Sequence, residues 1–578
     1  MTSNATALRG RLQSSLHLFP GPLENAFSTH AQSADRALKG LYRREPQTWS
    51  AETDVQTKIT QRLGWMDSPQ LMARSVERLK QFAAAVRADG ITDVVLLGMG
   101  GSSLAPEVLR AVVGITAGWP RLHMLDSTDP DAVRAVQTPP ERTLFILASK
   151  SGTTIEPNAL AAHYQHTLID AGVTSWSRHF VAITDSGTEL ERRAAAEKFR
   201  DVFINPSDIG GRYSALSFFG LVPAALMGQD IDALVDWGLA MLDASQPEGG
   251  VAMNPAAALG LAIGTGALSG HDKLTLLTPP ALEPFGLWVE QLIAESTGKS
   301  GVGIVPVAGE PEGASSVYGN DRLFVRIRVE GQQAPREAPA DAPHVDLVLP
   351  ETNALGAEFV RWEIATAVAG ALLHINPFDE PNVQQAKDAT RNLLDSYQKT
   401  GRLPVPAPDR TLPNGIDLTL TKAGRTATTA ADPEAFLTSL RAGDYFALLA
   451  YLGPDPALEQ ELKSLRRSVR DRARVATMFG YGPRYLHSTG QLHKGGANSG
   501  VFLLVTAAHA VDVEIPGQPF SFATLEQAQA IGDFQSLDAT GRRALHAHLP
   551  SADPQWVRQL ADVLLRRLAA PSSAPGDK

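Results

Sequence analysis

The chain contains no cysteine among its 578 residues. This absence excludes disulfide bonds, thiol nucleophiles and metal sites built on thiolates, and it is compatible with a reducing compartment. The first residues show no apolar run ahead of a small-residue cleavage site. We therefore expect a cytoplasmic protein.

Long hydrophobic runs and an excess of positive charge are also missing. No stretch approaches the roughly 18 apolar residues that a membrane-spanning helix needs. The 52 lysines and arginines are outnumbered by 62 aspartates and glutamates, which gives a formal net charge of −10. This balance argues against nucleic acid or a membrane as a partner, although a local basic site can still bind a small anion.

The sequence motifs of nucleotide-binding loops are incomplete. The turn "GMGGSSLAP" carries Ser103 where the dinucleotide fingerprint has its third glycine. There is also no Gly-Lys-Ser or Gly-Lys-Thr phosphate loop. This turn therefore indicates no nucleotide site, but as a hydroxyl-bearing turn at a strand end it favours a polar cleft for a small molecule.

The pattern of apolar runs predicts an α/β fold. From about residue 91 onward, short apolar runs such as "DVVLLGMG" and "TLFILASK" end in Gly, Ser or Asp and precede helix-like segments. Continuous hydrophobicity is typical of parallel strands buried on both faces. A second such set begins near residue 250. We therefore expect two tandem doubly wound parallel-sheet domains, since the chain is too long for one core.

The domain boundaries follow from shifts in this pattern, with proline-rich stretches as connections. Residues 331–343 are expected to be a surface connection. The predicted regions are an N-terminal helical segment (1–90), a first α/β domain (91–245), a second α/β domain (246–400), a linker (401–434), a smaller C-terminal α/β region (435–570) and a disordered tail (571–578).

Residues 149–154 have the sequence "SKSGTT", directly after an apolar strand and before a helix. Hydroxyls, an ammonium group and a glycine at a helix N-terminus suit a phosphate or sulfate. The alternative is an ordinary Ser or Thr N-cap, with Glu156 supporting the first helical turn. From the residues alone both interpretations stay open.

Two further segments carry charged side chains that suit catalysis. Arg212 follows two glycines at the start of an apolar helix, where it can face a cleft. Gln291 and Glu295 share one helix face. The helix C-terminus tends to raise the pKa of Glu295, which suits a general base. The alternative is a solvated glutamate beside Lys299.

The segment "YLHSTGQLHKGG" holds His487 and His493 in a glycine-rich loop. It offers no Asp, Glu or Cys as a further ligand, so no metal site is predicted there. An acid–base role is favoured over metal binding.

The motifs together carry a family resemblance. "GMGGSSLAP", "SKSGTTIEP", "GGRYSALS", "QLIAESTGK" and "INPFDEPNVQQAK" occur in the order found in phosphoglucose isomerases. The resemblance spans roughly residues 90–390 and implies two sugar-isomerase (SIS-type) domains. The C-terminal "RYLHSTGQLHKGG" resembles the isomerase half of bifunctional transaldolase/phosphoglucose isomerases, which leaves open whether a separate transaldolase partner exists.

The resemblance implies an activity that needs no cofactor and no metal. Glucose 6-phosphate and fructose 6-phosphate, intermediates of glycolysis and gluconeogenesis, would interconvert through a cis-enediol(ate). Glu295 would be the base, Arg212 would stabilise the enediolate, and Lys387 would lie near the ring oxygen. The implied substrate-binding residues are Gly101, Ser102, Ser149, Lys150 (through its backbone), Ser151, Thr153, Thr154 and Gln291.

The chain departs from the family at two places. The family's ring-opening histidine precedes the lysine motif, but residues 302–330 contain no histidine. Ring opening is therefore assigned to His493, with His487 second and His344 third. Glu380 stands where the family usually has glutamine, which adds a carboxylate near Lys387.

Two other functions compete with this prediction. A dual phosphoglucose/phosphomannose isomerase would differ only in how the configuration at C2 is recognised. A non-catalytic sugar-phosphate-binding module would need only the phosphate site, and the presence of Glu295, Arg212 and Lys387 together argues against it. The resemblance also allows a homodimer without requiring one.

Overall fold

The computed structural model describes residues 3–428 and 431–568. The predicted disordered tail, 571–578, lies outside the described residues. Within them the chain forms two five-stranded sheets and one six-stranded sheet, each flanked by helices. None of the described helices has both the length and the apolar content to cross a membrane.

The N-terminal segment is helical, as predicted, but it also supplies a strand to a distant sheet. β1 pairs antiparallel with a strand near residue 345, and Leu16 lies opposite Leu347. The elements of this segment are α1 (Ser3–Gln13), β1 (Leu16–Phe19), α2 (Glu24–Tyr42), α3 (Thr53–Thr60) and α4 (Ser68–Ala88).

The first sheet is fully parallel, with the order β3-β2-β4-β5-β6. Val94 and Leu96 of β2 belong to one hydrophobic core, whereas Val95 and Leu97 belong to another. The sheet is therefore buried on both faces, as the continuous apolar runs predicted. The elements are β2 (Asp93–Leu97), α5 (Leu104–Val108), β3 (Arg121–Leu125), α6 (Pro130–Ala135), β4 (Thr143–Ala148), α7 (Ile155–Asp170), β5 (Phe180–Asp185), α8 (Glu189–Glu197), β6 (Asp201–Asn205), α9 (Phe218–Leu226) and α10 (Ile231–Ala244).

The second sheet has the order β1-β10-β9-β7-β8 and is parallel except for β1. The predicted surface connection 331–343 contains no helix or strand and joins β9 to β10. The elements are α11 (Ala257–Leu268), β7 (Lys273–Leu277), α12 (Glu283–Thr297), β8 (Val305–Val307), β9 (Arg322–Val329), β10 (His344–Leu349), α13 (Leu355–Leu372) and α14 (Val383–Thr400).

The third sheet has the order β11-β12-β16-β15-β13-β14 and begins inside the segment expected to be a linker. Residues 401–434 contain β11, β12 and α15, and β12 pairs antiparallel with β16. The expected linker is therefore partly an edge of the sheet. The elements are β11 (Arg410–Thr411), β12 (Asp417–Leu420), α15 (Lys422–Ala427), β13 (Tyr445–Tyr451), α16 (Pro456–Ala473), β14 (Ala476–Tyr481), α17 (Gly490–Gly495), β15 (Gly500–Ala507), α18 (Phe522–Ala539), β16 (Arg543–Leu549) and α19 (Pro554–Arg567).

Candidate active site

The candidate site lies where the strand order of the first sheet reverses, between β2 and β4. β3 pairs with one edge of β2, and β4 pairs with its other edge. The turns after β2 and β4 therefore flank the crevice where ligands bind in such sheets. Gly100 has a positive φ of 57°, and a Cβ there would lie 2.5 Å from the His487 carbonyl oxygen. A Cβ on Gly101 would lie 2.0 Å from the Gly211 carbonyl oxygen. The first turn thus packs directly on the segments that hold His487 and Arg212.

The second turn, residues 149–154, presents hydroxyls at the start of α7. Ser149 Oγ accepts a hydrogen bond from the Gly152 N–H at 3.1 Å and lies 3.0 Å from Thr154 Oγ1. Thr154 precedes the helix, yet within the described residues its side chain makes no capping bond. The N-cap alternative therefore does not describe this turn. Uncapped N–H groups and adjacent hydroxyls form a cradle suited to an anion.

The side chain of Lys150 has partners outside the cradle. Its ammonium group forms an ion pair with Asp185 and donates to the Ser207 carbonyl oxygen at 2.8 Å. The side chain therefore ties the turn to the ends of β5 and β6. An anion in the cradle would therefore contact Lys150 through its backbone, which is the contact that the resemblance implies.

Arg212 is held rigidly by hydrogen bonds on each of its nitrogens. The guanidinium is buried, and its Nε donates to Ser296 Oγ at 2.7 Å. Nη1 donates to Glu380 Oε2 at 3.0 Å. Nη2 donates to the carbonyl oxygens of Pro377, at 2.8 Å, and Asp379, at 3.0 Å. The positive charge is therefore fixed before any substrate binds.

Glu295 lies beside this guanidinium in the interior of the protein. Its Oε1 is 3.6 Å from Arg212 Nη1, and its Oε2 accepts a hydrogen bond from Gln291 Nε2 at 3.3 Å. Burial raises the pKa of Glu295 to about 7; Arg212 opposes this shift and the Glu380 carboxylate adds to it. A carboxyl group with this pKa can take up and release a proton near neutral pH.

The alternative of a solvated Glu295 paired with Lys299 is wrong. Both side chains are buried. The Lys299 ammonium donates to the Asn376 carbonyl oxygen at 2.8 Å and pairs with the Asp379 carboxylate at 2.8 Å. Lys299 therefore supports the loop that holds Arg212, a role that the sequence did not indicate.

The structure does not place His493, the first choice for ring opening, at the cavity. Its imidazole is 1% exposed and packs among aromatic rings, with Phe502 at 5.1 Å and Tyr485 at 6.0 Å between ring centroids. In the described part of the chain neither of its ring nitrogens has a hydrogen-bond partner. Burial, aided by Lys494 and Arg542, lowers the pKa of His493 well below its usual value. His344, the third choice, stacks on Phe19 at 4.4 Å in the second sheet.

His487 is the predicted histidine that reaches the site. Its Nε2 lies 2.9 Å from Glu156 Oε1, and its carbonyl oxygen accepts from Gln291 Nε2 at 2.7 Å. Gln529 donates to the same Glu156 oxygen at 2.7 Å. Burial alone would raise the pKa of Glu156, but His487, followed by Lys387, lowers it below its usual value. A carboxylate thus orients the imidazole at the edge of the cleft.

Glu156 was not predicted as a site residue. From the sequence it could be interpreted only as support for the first turn of α7. The available signal was its position, because it follows the anion turn directly and so starts from the same edge of the sheet.

The two turns, Arg212 and Glu295 enclose one cavity of about 540 Å³. The other predicted residues that line it are Gly101, Ser102, Ser149, Lys150, Ser151, Thr154, Gln291 and Lys387. Thr153 instead lines an adjoining cavity of about 750 Å³, which shares Ser151, Thr154, Lys387 and His487 with the first. His493 lines neither. The structure therefore brings all the predicted residues to this region except His493 and His344.

The comparisons with known proteins agree with this arrangement. The phosphoglucose isomerase family model matches residues 53–321. Glucose-6-phosphate isomerase from Rubrobacter xylanophilus is 29% identical over 384 residues, which cover 57% of this chain and 87% of that protein. The enzyme of the same name from Prochlorococcus marinus is 26% identical over 394 residues, covering 59% and 75%. Residues 53–321, a little less than half of the chain, therefore match the phosphoglucose isomerase family.

Among solved structures, a glucose-6-phosphate isomerase from Chlamydia trachomatis aligns over 69% of this chain and 87% of that one. The sequence identity is 18% and the TM-score is 0.46. The family-model match includes Arg212 and Glu295 but ends before Glu380, Lys387 and His487. The placement of those three residues rests on the geometry of this chain.

Glu380 gives the candidate site a testable pH dependence. Burial would raise the pKa of Glu380, but Arg212 lowers it below its usual value, so the group is ionised near neutral pH. Its charge raises the pKa of Glu295. A base must be ionised to accept a proton, so kcat/KM should fall as the pH drops through the pKa of Glu295. Glu380→Gln removes the neighbouring charge and should move this acidic limb to lower pH by about one unit.

The pH profile of kcat/KM measures this shift. Glu283→Gln, at the exposed start of α12, the helix that holds Glu295, is the matched control and should leave the acidic limb in place. An identical profile for wild type and Glu380→Gln would show that Glu380 does not set the pKa of the base.

Proposed function

We propose that the chain interconverts glucose 6-phosphate and fructose 6-phosphate by moving a proton between C2 and C1. One observation carries the proposal. A buried carboxyl group with a pKa of about 7, Glu295, lies 3.6 Å from a fixed guanidinium in a cavity that also contains an anion cradle. This combination suits an aldose–ketose isomerase that works on a phosphorylated sugar.

The cradle would hold the phosphate. The hydroxyls of Ser149, Ser151 and Thr154 and the uncapped start of α7 supply donors, and the helix dipole favours negative charge at this position. The phosphate is remote from the reacting carbons. Its binding energy therefore positions C1 and C2 against the base.

The base and the cation divide the chemistry between them. Ionised Glu295 takes the proton from C2 of the open aldose and returns it to C1. The electron pair left behind forms the C1–C2 double bond, and the π pair of the carbonyl group moves onto O1, which becomes the enediolate oxygen. Arg212 stabilises that charge and, being permanently protonated, does not compete for the proton. When the proton returns to C1, the hydroxyl proton of O2 moves to O1 and the carbonyl group forms at C2.

Ring opening is assigned to His487 instead of His493. The Nε2 of His487 is oriented by Glu156, and Lys387 lines the same cavity. The imidazole can pass a proton between the ring oxygen and the anomeric hydroxyl. Lys387 assists by its charge.

A pair of histidine variants tests this assignment. His487→Gln should lower kcat/KM for cyclic glucose 6-phosphate by about 100-fold. His493→Phe should keep wild-type kcat/KM, because the imidazole lies among aromatic rings and no hydrogen bond is lost. Activity that is lost in His493→Phe but kept in His487→Gln would refute the assignment.

The proposed function itself is tested by following turnover with coupled enzymes. Wild-type protein should convert fructose 6-phosphate to glucose 6-phosphate, and mannose 6-phosphate is run as a parallel substrate. Comparable rates from mannose 6-phosphate would establish the dual isomerase. Binding of all three sugars without turnover would instead establish a non-catalytic module and overturn the proposal.

We further propose a cytoplasmic location and a homodimeric assembly. The lack of cysteine supports the first, and the family resemblance supports the second. His487 reaches the cleft from the same chain as Glu295.

A further inference from the structure

A second cluster of polar residues lies where the first and third sheets meet, outside the cavity described above. Asp129 and Asp131 stand at the start of α6, just after β3, and His509 follows β15. One potential ligand atom from each of the three residues lies within 4.8 Å of the others. His509 is far from the two aspartates in the sequence, so no local motif reveals the cluster.

The cluster lies at the switch point of the third sheet. β14 pairs with one side of β13 and β15 with the other, so a crevice opens at the carboxyl ends of β13 and β15. Gly453, just after β13, lets Asp129 of the first α/β domain approach this crevice, because a Cβ on Gly453 would lie 2.9 Å from Asp129 Oδ1. Beside it is a cavity of about 240 Å³ lined by His509 and Glu526.

Asp129 offers a buried oxygen with no partner. The side chain is fully buried, and its Oδ1 accepts hydrogen bonds from the N–H groups of Asp131, at 2.7 Å, and Ala132, at 3.0 Å. Across the residues that the structure describes, Oδ2 has no hydrogen-bond partner. An unpaired buried carboxylate oxygen is costly unless a cation or a donor compensates for it.

His509 is oriented as a metal-ligating imidazole would be. Its Nε2 lies 2.7 Å from Glu526 Oε2, in a pair that leaves the other ring nitrogen to act as a ligand. That nitrogen, Nδ1, is buried and unpartnered within the described residues. A carboxylate that fixes the tautomer and direction of a histidine is the usual support for a histidine that binds a metal.

We propose that Asp129, Asp131 and His509 bind one divalent cation, with Glu526 as the positioning residue for His509. Two carboxylates and one imidazole suit Zn²⁺ or Mn²⁺, with water completing the coordination. Arg134 already forms an ion pair with one oxygen of the exposed Asp131. The Asp131 carboxylate would therefore be shared between Arg134 and the cation. The cation would link the first α/β domain to the C-terminal α/β region.

The test measures metal binding by the full chain. Protein stripped with a chelator is titrated with Zn²⁺ by calorimetry and with Mn²⁺ by electron paramagnetic resonance. Wild type should bind one equivalent of at least one metal, and its Tm should rise when that metal is added. His509→Gln and Asp131→Asn should both lose the equivalent and the rise in Tm.

The controls separate ligation from folding and from binding to the surface. Asp131 is exposed, so Asp131→Asn should fold normally, which circular dichroism verifies. His166→Gln, in an exposed histidine–aspartate pair with Asp170 on α7, should keep the equivalent. A wild type that binds neither metal, or an equivalent retained in His509→Gln and Asp131→Asn, would overturn the proposal.

Discussion

Replacing Glu295 with glutamine is expected to lower kcat by roughly 100- to 10,000-fold, the range that general acid–base catalysis contributes. Glutamine keeps the shape of the side chain and can still interact with Gln291, but it cannot accept the C2 proton. The phosphate cradle is untouched, so the affinity for fructose 6-phosphate should stay close to that of wild type. Steady-state turnover and calorimetric binding of the sugar measure the two effects separately.

Glu290 provides a matched control on the same helix. Its carboxyl group is buried and does not line the cavity. Burial, opposed by Arg466, raises the pKa of Glu290 to about 8, so the group is largely protonated at neutral pH. Glu290→Gln should therefore leave kcat nearly unchanged. Wild-type turnover in Glu295→Gln would exclude Glu295 as the base.

Replacing Arg212 with lysine is expected to lower kcat by roughly 100- to 1,000-fold, comparable to the loss of a preorganised oxyanion donor. An ammonium group keeps the charge but cannot reproduce the planar set of hydrogen bonds to Ser296, Glu380 and the loop carbonyl oxygens. The cation would then no longer be fixed where the enediolate oxygen forms. Turnover of glucose 6-phosphate measures the loss.

Arg110→Lys is the control for this substitution. Arg110 forms a bidentate pair with Glu107, with hydrogen bonds of 2.8 and 2.7 Å, and does not line the cavity. Its replacement should leave kcat unchanged. Wild-type kcat in a folded Arg212→Lys protein would show that a charge alone is sufficient and that the fixed geometry is not used.

The central sheets were predictable because burial on both faces is visible as a run of apolar residues. The "DVVLL" of β2 alternates between two cores, and no polar residue interrupts the pattern beyond Asp93. The edge strands were harder to predict. The "DLTL" of β12 is four residues long and lies within a proline-rich segment, so its sequence is typical of a loop until β16 lies beside it.

The candidate site was likewise predictable only where its features are local in the sequence. The hydroxyls of the anion turn and the pair Gln291 and Glu295 are local features that the sequence displays. The cause of the raised pKa of Glu295 was not predictable, because burial dominates and the sequence suggested only the helix dipole. The pairing of His487 with Glu156 joins residues 331 positions apart. Two histidines in one glycine-rich loop look alike until the fold brings one to a carboxylate and the other to a cluster of aromatic rings.

Proton transfer by Glu295 is tested most directly by isomerising unlabelled glucose 6-phosphate in D₂O and locating deuterium by NMR. The proton held on Glu295 can exchange with solvent while the enediolate exists. Wild type should therefore place deuterium at C1 of fructose 6-phosphate, and Glu295→Gln should place none. Full conversion by wild type without any incorporated deuterium would indicate a direct hydride shift and contradict this mechanism.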